Sequence, residues 1–129
     1  MTRSFTFLAA TAAGVAAIDL AHKAWAGPVF IHERSALYGA GIGLVCVAWA
    51  AAIVLLRSPA IAVAAGPLVG GAAGNGLSLA LWPGVPNPIV VDGLAFNLAD
   101  LSVALGLVLL LPAMIAFAVR NRERLFEPI

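Results

Sequence analysis

The chain has 129 residues, of which 63% are hydrophobic and 10% charged, and its mean hydropathy is +1.05. A water-soluble domain uses about a quarter charged residues to cover its surface, so this composition excludes an ordinary soluble enzyme, a disordered tail and a nucleic-acid binder. Seven Lys and Arg against six Asp and Glu leave a net charge of +1, which points to no polyanionic partner.

Polar punctuation divides the sequence into four apolar stretches, residues 4–24, 36–56, 60–82 and 97–119. Each is long enough, at about 1.5 Å rise per residue, to cross a hydrocarbon core of roughly 30 Å. The expected fold is an all-α integral membrane protein: one four-span helix bundle over residues 1–129 with short outer loops. An even number of spans puts both ends on one side. Arg3, Arg57, Arg120, Arg122 and Arg124 share that side, while Lys23 and Arg34 fall on the other, so the positive-inside bias places both termini in the cytoplasm. Trp25 and Trp82 mark the outer interface.

The first stretch also has features of a secretory signal: Arg3, the apolar run Phe5 to Ala17, and the triplet Ala24-Trp25-Ala26. Asp19, His22 and Lys23 make a charged approach to such a cleavage site, so an uncleaved first span is expected. In the second stretch Cys46 sits in an apolar run as a lone cysteine, a buried thiol without disulfide or metal-ligand spacing. In the third, Gly66, Gly70 and Gly74 recur every fourth residue around Gly71, Ala72 and Ala73, the spacing that lets helices approach closely. Asn75 follows, an amide placed to bond across helices or to reach carboxylates near the span's outer end. His22, His32 and Glu33 show no metal-ligand spacing, and no metal site is expected.

The loop Trp82-Pro83-Gly84-Val85-Pro86-Asn87-Pro88 cannot continue a helix. It leads into Ile89-Val90-Val91-Asp92-Gly93, an extended β-branched run ending in a carboxylate, and the fourth helix is expected to start near Asn97.

Ionisable groups beside spans are costly, so Asp19, Lys23, Asp92 and Asp100 each raise a functional question. Asp19 and Lys23 are four apart on one helical face, suited to an ion pair at the helix end whose lysine snorkels to the interface, or to one that orients a loop or neutralises a substrate group. Asp92 and Asp100 are eight apart across Gly93. In a poorly hydrated site two carboxylates share one proton, which supplies the base and the acid that amide hydrolysis requires. The same residues also fit a structural description: Asn97 as an N-cap with Asp100 at the third helical position, and Asp92 as a turn residue before Gly93.

Taken together, Asp19 with Lys23, Gly70-Gly71-Ala72-Ala73-Gly74-Asn75, Val90-Val91-Asp92 and Phe96-Asn97-Leu98-Ala99-Asp100 resemble, in order, the blocks of lipoprotein signal peptidase, also called signal peptidase II. That bacterial family comprises four-span aspartic proteases. The resemblance implies that Asp92 and Asp100 are the catalytic dyad and that Asp19, Lys23, Asn75 and Asn97 support it. It further implies removal of the signal peptide from a lipoprotein precursor just before its diacylglyceryl-modified cysteine, at the outer face of the cytoplasmic membrane among membrane lipids, without metal or organic cofactor. The chain departs from the family where Gly76-Leu77-Ser78-Leu79 replaces an Asp-Arg pair, and where the segments after Lys23 and between Asp92 and Asp100 are short. Two other readings stand beside it: a family-derived protein that binds lipidated precursors without cutting them, and a small channel or transporter subunit whose outer carboxylates collect cations.

Overall fold

In a computed structural model, residues 2–27 and 30–122 are described. They form four helices, α1 (Thr2–Ala26), α2 (Ala36–Leu56), α3 (Pro59–Leu81) and α4 (Leu98–Arg120). Four short strands accompany them: β1 (Ile31–His32), β2 (Val85–Pro86), β3 (Ile89–Val91) and β4 (Leu94–Phe96). The expected stretches correspond to these helices within two residues at each end. Arg124 and the rest of residues 123–129 lie outside the described residues.

Local chemistry sets the helix boundaries. Ser35 and Ser58 are the N-caps of α2 and α3, their side chains accepting from the amides of Tyr38 and Ile61. Pro59 follows Ser58 in the first turn, where a missing N–H costs nothing. Arg57 closes α2 in the left-handed region with its amide on Ile53 O, so α2 and α3 are joined by a tight reversal.

The helix α3 is the hub. It packs against α1, α2 and α4, and it alone is buried along most of its length. The glycines explain the closeness. A Cβ at Gly70 would come within 2.5 Å of Ala12 O and 2.8 Å of Val15 Cβ, and one at Gly66 would overlap the Thr11 side chain. On the opposite side, Gly71 faces the Ala99 carbonyl, and Gly106 of α4 meets the backbone of Leu68. The small-residue stripe of α3 therefore serves helix packing within one chain, on two faces. Leu8, Ile53, Ile61, Leu68 and Leu110 fill the core between these contacts.

Outward faces are apolar: Leu44, Leu55, Leu107, Val108, Leu111 and Val119 are all exposed. In water such surface would drive association. Arg3–Ala26, Pro59–Leu81 and Leu98–Arg120 are each long and apolar enough to cross a membrane, and Leu37–Ile53 is a shorter apolar stretch of α2.

Both small sheets lie at the end of the bundle where α1 and α3 finish and α2 and α4 begin. β1 pairs antiparallel with β2, with Ile31 opposite Pro86 and His32 opposite Val85. β3 and β4 form a hairpin with Ile89 opposite Phe96 and Val91 opposite Leu94. Its two-residue turn is Asp92-Gly93, with φ of 50° and 82°, the left-handed pair of a type I′ turn.

Candidate functional site

Residues from three of the four sequence blocks meet at this end of the bundle. Asp19 and Lys23 sit one turn apart near the end of α1, both fully buried, with Lys23 Nζ 2.7 Å from Asp19 Oδ2. A buried ammonium needs all three of its protons placed. Lys23 places the other two on Asn75 Oδ1 and Ser78 Oγ, each at 2.9 Å. Ser78 in turn donates to Gly74 O at 2.8 Å, one turn back along α3.

Asp19 uses its other oxygen on a different helix: Oδ1 accepts from the Ala99 amide at 2.8 Å. Ala99 lies in the first turn of α4, where amides lack intrahelical partners and the helix end carries partial positive charge. A carboxylate of α1 thus satisfies the start of α4 while balancing Lys23. Close packing of Gly74 makes room for it, since a Cβ there would lie 2.7 Å from Asp19 Oδ2.

Asn75 carries the network onward. Its Oδ1 is committed to Lys23, so its Nδ2 donates, to Asp100 Oδ1 at 2.9 Å. Asp100 Oδ2 accepts from the Asn97 amide at 3.1 Å, and Asn97 Oδ1 accepts from the Asp100 amide at 3.0 Å. The two residues therefore form a reciprocal capping box, one of the two descriptions their spacing allowed. Asp100 remains exposed on its open side, although both oxygens are engaged.

Two residues overlooked at the level of sequence extend the chain of bonds. Asn97 Nδ2 donates to Asn87 Oδ1 at 2.7 Å and to Pro86 O at 3.2 Å. Asn87 Nδ2 then meets His32 Nδ1 at 2.8 Å. Asn87 is buried and anchored by its amide on Phe30 O. A continuous path therefore runs Asp19, Lys23, Asn75, Asp100, Asn97, Asn87, His32. His32 and Asn87 had no sequence signal, because an Asn between two prolines reads as loop and a lone His near an interface as surface.

Asp92 is not part of this path. It occupies the first position of the hairpin turn, exposed, and makes no hydrogen bond or ion pair among the described residues. Three extended residues separate the turn from Asn97, so Asp92 lies at the tip of the hairpin, away from the capping box. Asp19, Lys23, Asn75, Asn97 and Asp100 are brought together, and Asp92 is not.

Two cavities open onto Asp100 and Asn75. A small polar cleft of about 110 Å³ is lined by His32, Arg34, Tyr38, Asn87 and Ala95 as well. Arg34, on the segment before α2, also lies over the Tyr38 ring at 5.0 Å. A larger apolar groove of about 300 Å³ runs between α2 and α4 over α3, lined by Tyr38, Ile42, Ala72 and Val103. The polar cleft and the apolar groove both border the exposed Asp100 and share Tyr38 and Asn75. No group of three or more His, Cys, Asp or Glu that would hold a metal occurs among the described residues.

Among known proteins, no family model, curated protein or solved structure matches the chain.

Proposed function

We propose that this chain is a four-span membrane protein of the signal peptidase II type, an aspartic endopeptidase that cuts lipid-modified lipoprotein precursors at the outer face of the bacterial cytoplasmic membrane. The observation that carries the reading is the convergence of Asp19, Lys23, Asn75, Asn97 and Asp100, from three separate sequence blocks, into one hydrogen-bonded cluster beside the polar cleft and the apolar groove.

In this reading the peptide lies in the polar cleft and an apolar segment of the substrate, acyl chain or signal helix, in the groove between α2 and α4. Asp100, held by Asn75 and Asn97, takes a proton from water as the water oxygen bonds to the scissile carbonyl carbon. The carbon–nitrogen bond then breaks, and a second carboxylic acid delivers its proton to the leaving nitrogen. Asp92 is that acid. The hairpin of β3 and β4 has to fold over the cleft to bring it in, which makes substrate binding the step that assembles the dyad.

The exposed position of Asp92 favours a second reading, in which the chain holds lipidated precursors without cutting them. One experiment separates the two: incubate the protein in detergent micelles with a diacylglyceryl-modified precursor and follow both capture and gel mobility. Capture with a mobility shift supports the protease, capture without one supports the binder, and absence of both removes each reading.

A further inference from the structure

The path through Asn97 and Asn87 fixes the protonation of a residue that the sequence blocks do not include. The Asp100 amide only donates, so the Asn97 atom 3.0 Å from it is Oδ1. The other side of Asn97 is then its NH2, in agreement with the Pro86 carbonyl, which only accepts, at 3.2 Å. Asn87 receives that NH2 on Oδ1 at 2.7 Å, so Asn87 in turn presents its own NH2 to His32. His32 Nδ1 is left to accept, at 2.8 Å. A protonated Nδ1 would set two donors against each other.

With Nδ1 accepting, the ring N–H is placed on Nε2. No hydrogen bond from that nitrogen to another described residue accompanies the one at Nδ1. The ring is braced by Phe30, edge-on at 4.8 Å, and by the pairing of β1 with β2. His32 lines the same polar cleft as Asp100. A braced ring of fixed tautomer, with one free N–H, in a cleft that also holds an exposed carboxylate, is a preorganised hydrogen-bond donor.

We infer that His32 is the donor that receives a peptide carbonyl oxygen of the substrate in this cleft, with Asn87 and Asn97 holding its Nε2–H tautomer in place. The inference rests on the reading that the cleft takes a precursor peptide, and it adds to that reading a second polar group lining the cleft that Asp100 lines. As negative charge develops on the carbonyl oxygen, a fixed donor stabilises it without giving up its proton. The Asn87 amide enforces this state, because it leaves no acceptor for a proton on Nδ1.

The first test needs no activity. Protein labelled with 15N-histidine in micelles, held above the ordinary histidine pKa of about 6.5, gives two-bond proton–nitrogen spectra that report which ring nitrogen carries the proton. The chain has two histidines, and a His22→Gln variant assigns them. The expected result is the Nε2–H form for His32 in the wild type. In Asn87→Asp a carboxylate that only accepts should move the proton to Nδ1 or charge the ring. A wild-type His32 protonated on Nδ1 overturns the inference.

The second test uses the lipidated precursor. If the wild type cleaves, His32→Ala should lower turnover about a hundredfold, and His32→Gln, which keeps an N–H donor, should recover part of it. Unchanged turnover in His32→Ala overturns the inference and leaves the protease reading intact. If the wild type binds without cleaving, the protease reading fails alone, and the inference then requires the His32 Nε2 resonance to shift on addition of precursor. No shift overturns it. Should His32→Ala not fold, the wild-type spectrum with and without precursor still decides.

Discussion

Asn75 donates from Nδ2 to Asp100 Oδ1 across 2.9 Å while its own Oδ1 holds the Lys23 ammonium. The amide cannot turn over without facing donor to donor on one side, so Lys23 on α1 dictates how Asp100 on α4 is held. Asn75→Asp tests this coupling. A carboxylate there still accepts from Lys23 but has nothing to donate to Asp100, and it sets two negative groups side by side. We expect α-helicity to be kept, precursor cleavage to be lost, and the melting temperature in micelles to change little, because the new attraction to Lys23 offsets the new repulsion.

The buried pair Asp19 and Lys23 gives a second prediction. Removing one partner leaves the other uncompensated, at a cost of about 3–5 kcal/mol. Lys23→Met should therefore melt at a clearly lower temperature or denaturant concentration than the wild type. Asp19→Asn combined with Lys23→Met should recover a large part of the loss, since the buried negative charge goes too. Equal destabilisation of the single and double variants would contradict this account of the pair.

Close helix approach gives a third. A Cβ at Gly70 falls within 2.9 Å of three atoms of α1, whereas a Cβ at Gly41 meets nothing within 4 Å. Gly70→Ala should destabilise by about 1–3 kcal/mol through overpacking. Gly41→Ala, in the interior of α2, should be neutral or stabilising by up to about 1 kcal/mol. Reversible unfolding in micelles compares the two directly.

The hairpin turn gives a fourth. Asp92 and Gly93 both have positive φ, and Asn-Gly is as well suited to a type I′ turn as Asp-Gly. Asp92→Asn should leave the hairpin and the stability unchanged, so any loss of cleavage in that variant is a loss of chemistry. Asp92→Val, by contrast, forces a β-branched residue into the left-handed region and should cost about 1–2 kcal/mol.

Much of this arrangement is legible in the sequence where the cause is local. The capping box of Asn97 and Asp100 follows from a spacing of three, the ion pair of Asp19 and Lys23 from a spacing of four, and the close packing of α3, though not the helices it meets, from glycines every fourth residue. What the sequence left open depends on partners far along the chain. His32 and Asn87 are 55 residues apart and meet through a pairing of two-residue strands, too short to announce itself by alternation. Asp92 is instructive for a different reason. Its spacing of eight from Asp100 permitted a fold-back, but Asp-Gly between apolar pairs is a hairpin turn, and in the structure that local preference sets where the carboxylate sits.

The direct test of the proposed activity is gel-shift cleavage of a diacylglyceryl-modified precursor in detergent micelles by wild type, Asp92→Asn and Asp100→Asn, each checked for helicity. Asp100→Asn sets an amide NH2 against one of its two donors, Asn75 Nδ2 or the Asn97 amide, and is expected to cost about 1–2 kcal/mol while remaining folded. The account predicts cleavage by the wild type and none by either variant. Cleavage near the wild-type level by either variant, or a folded wild type that leaves the precursor intact, would contradict it.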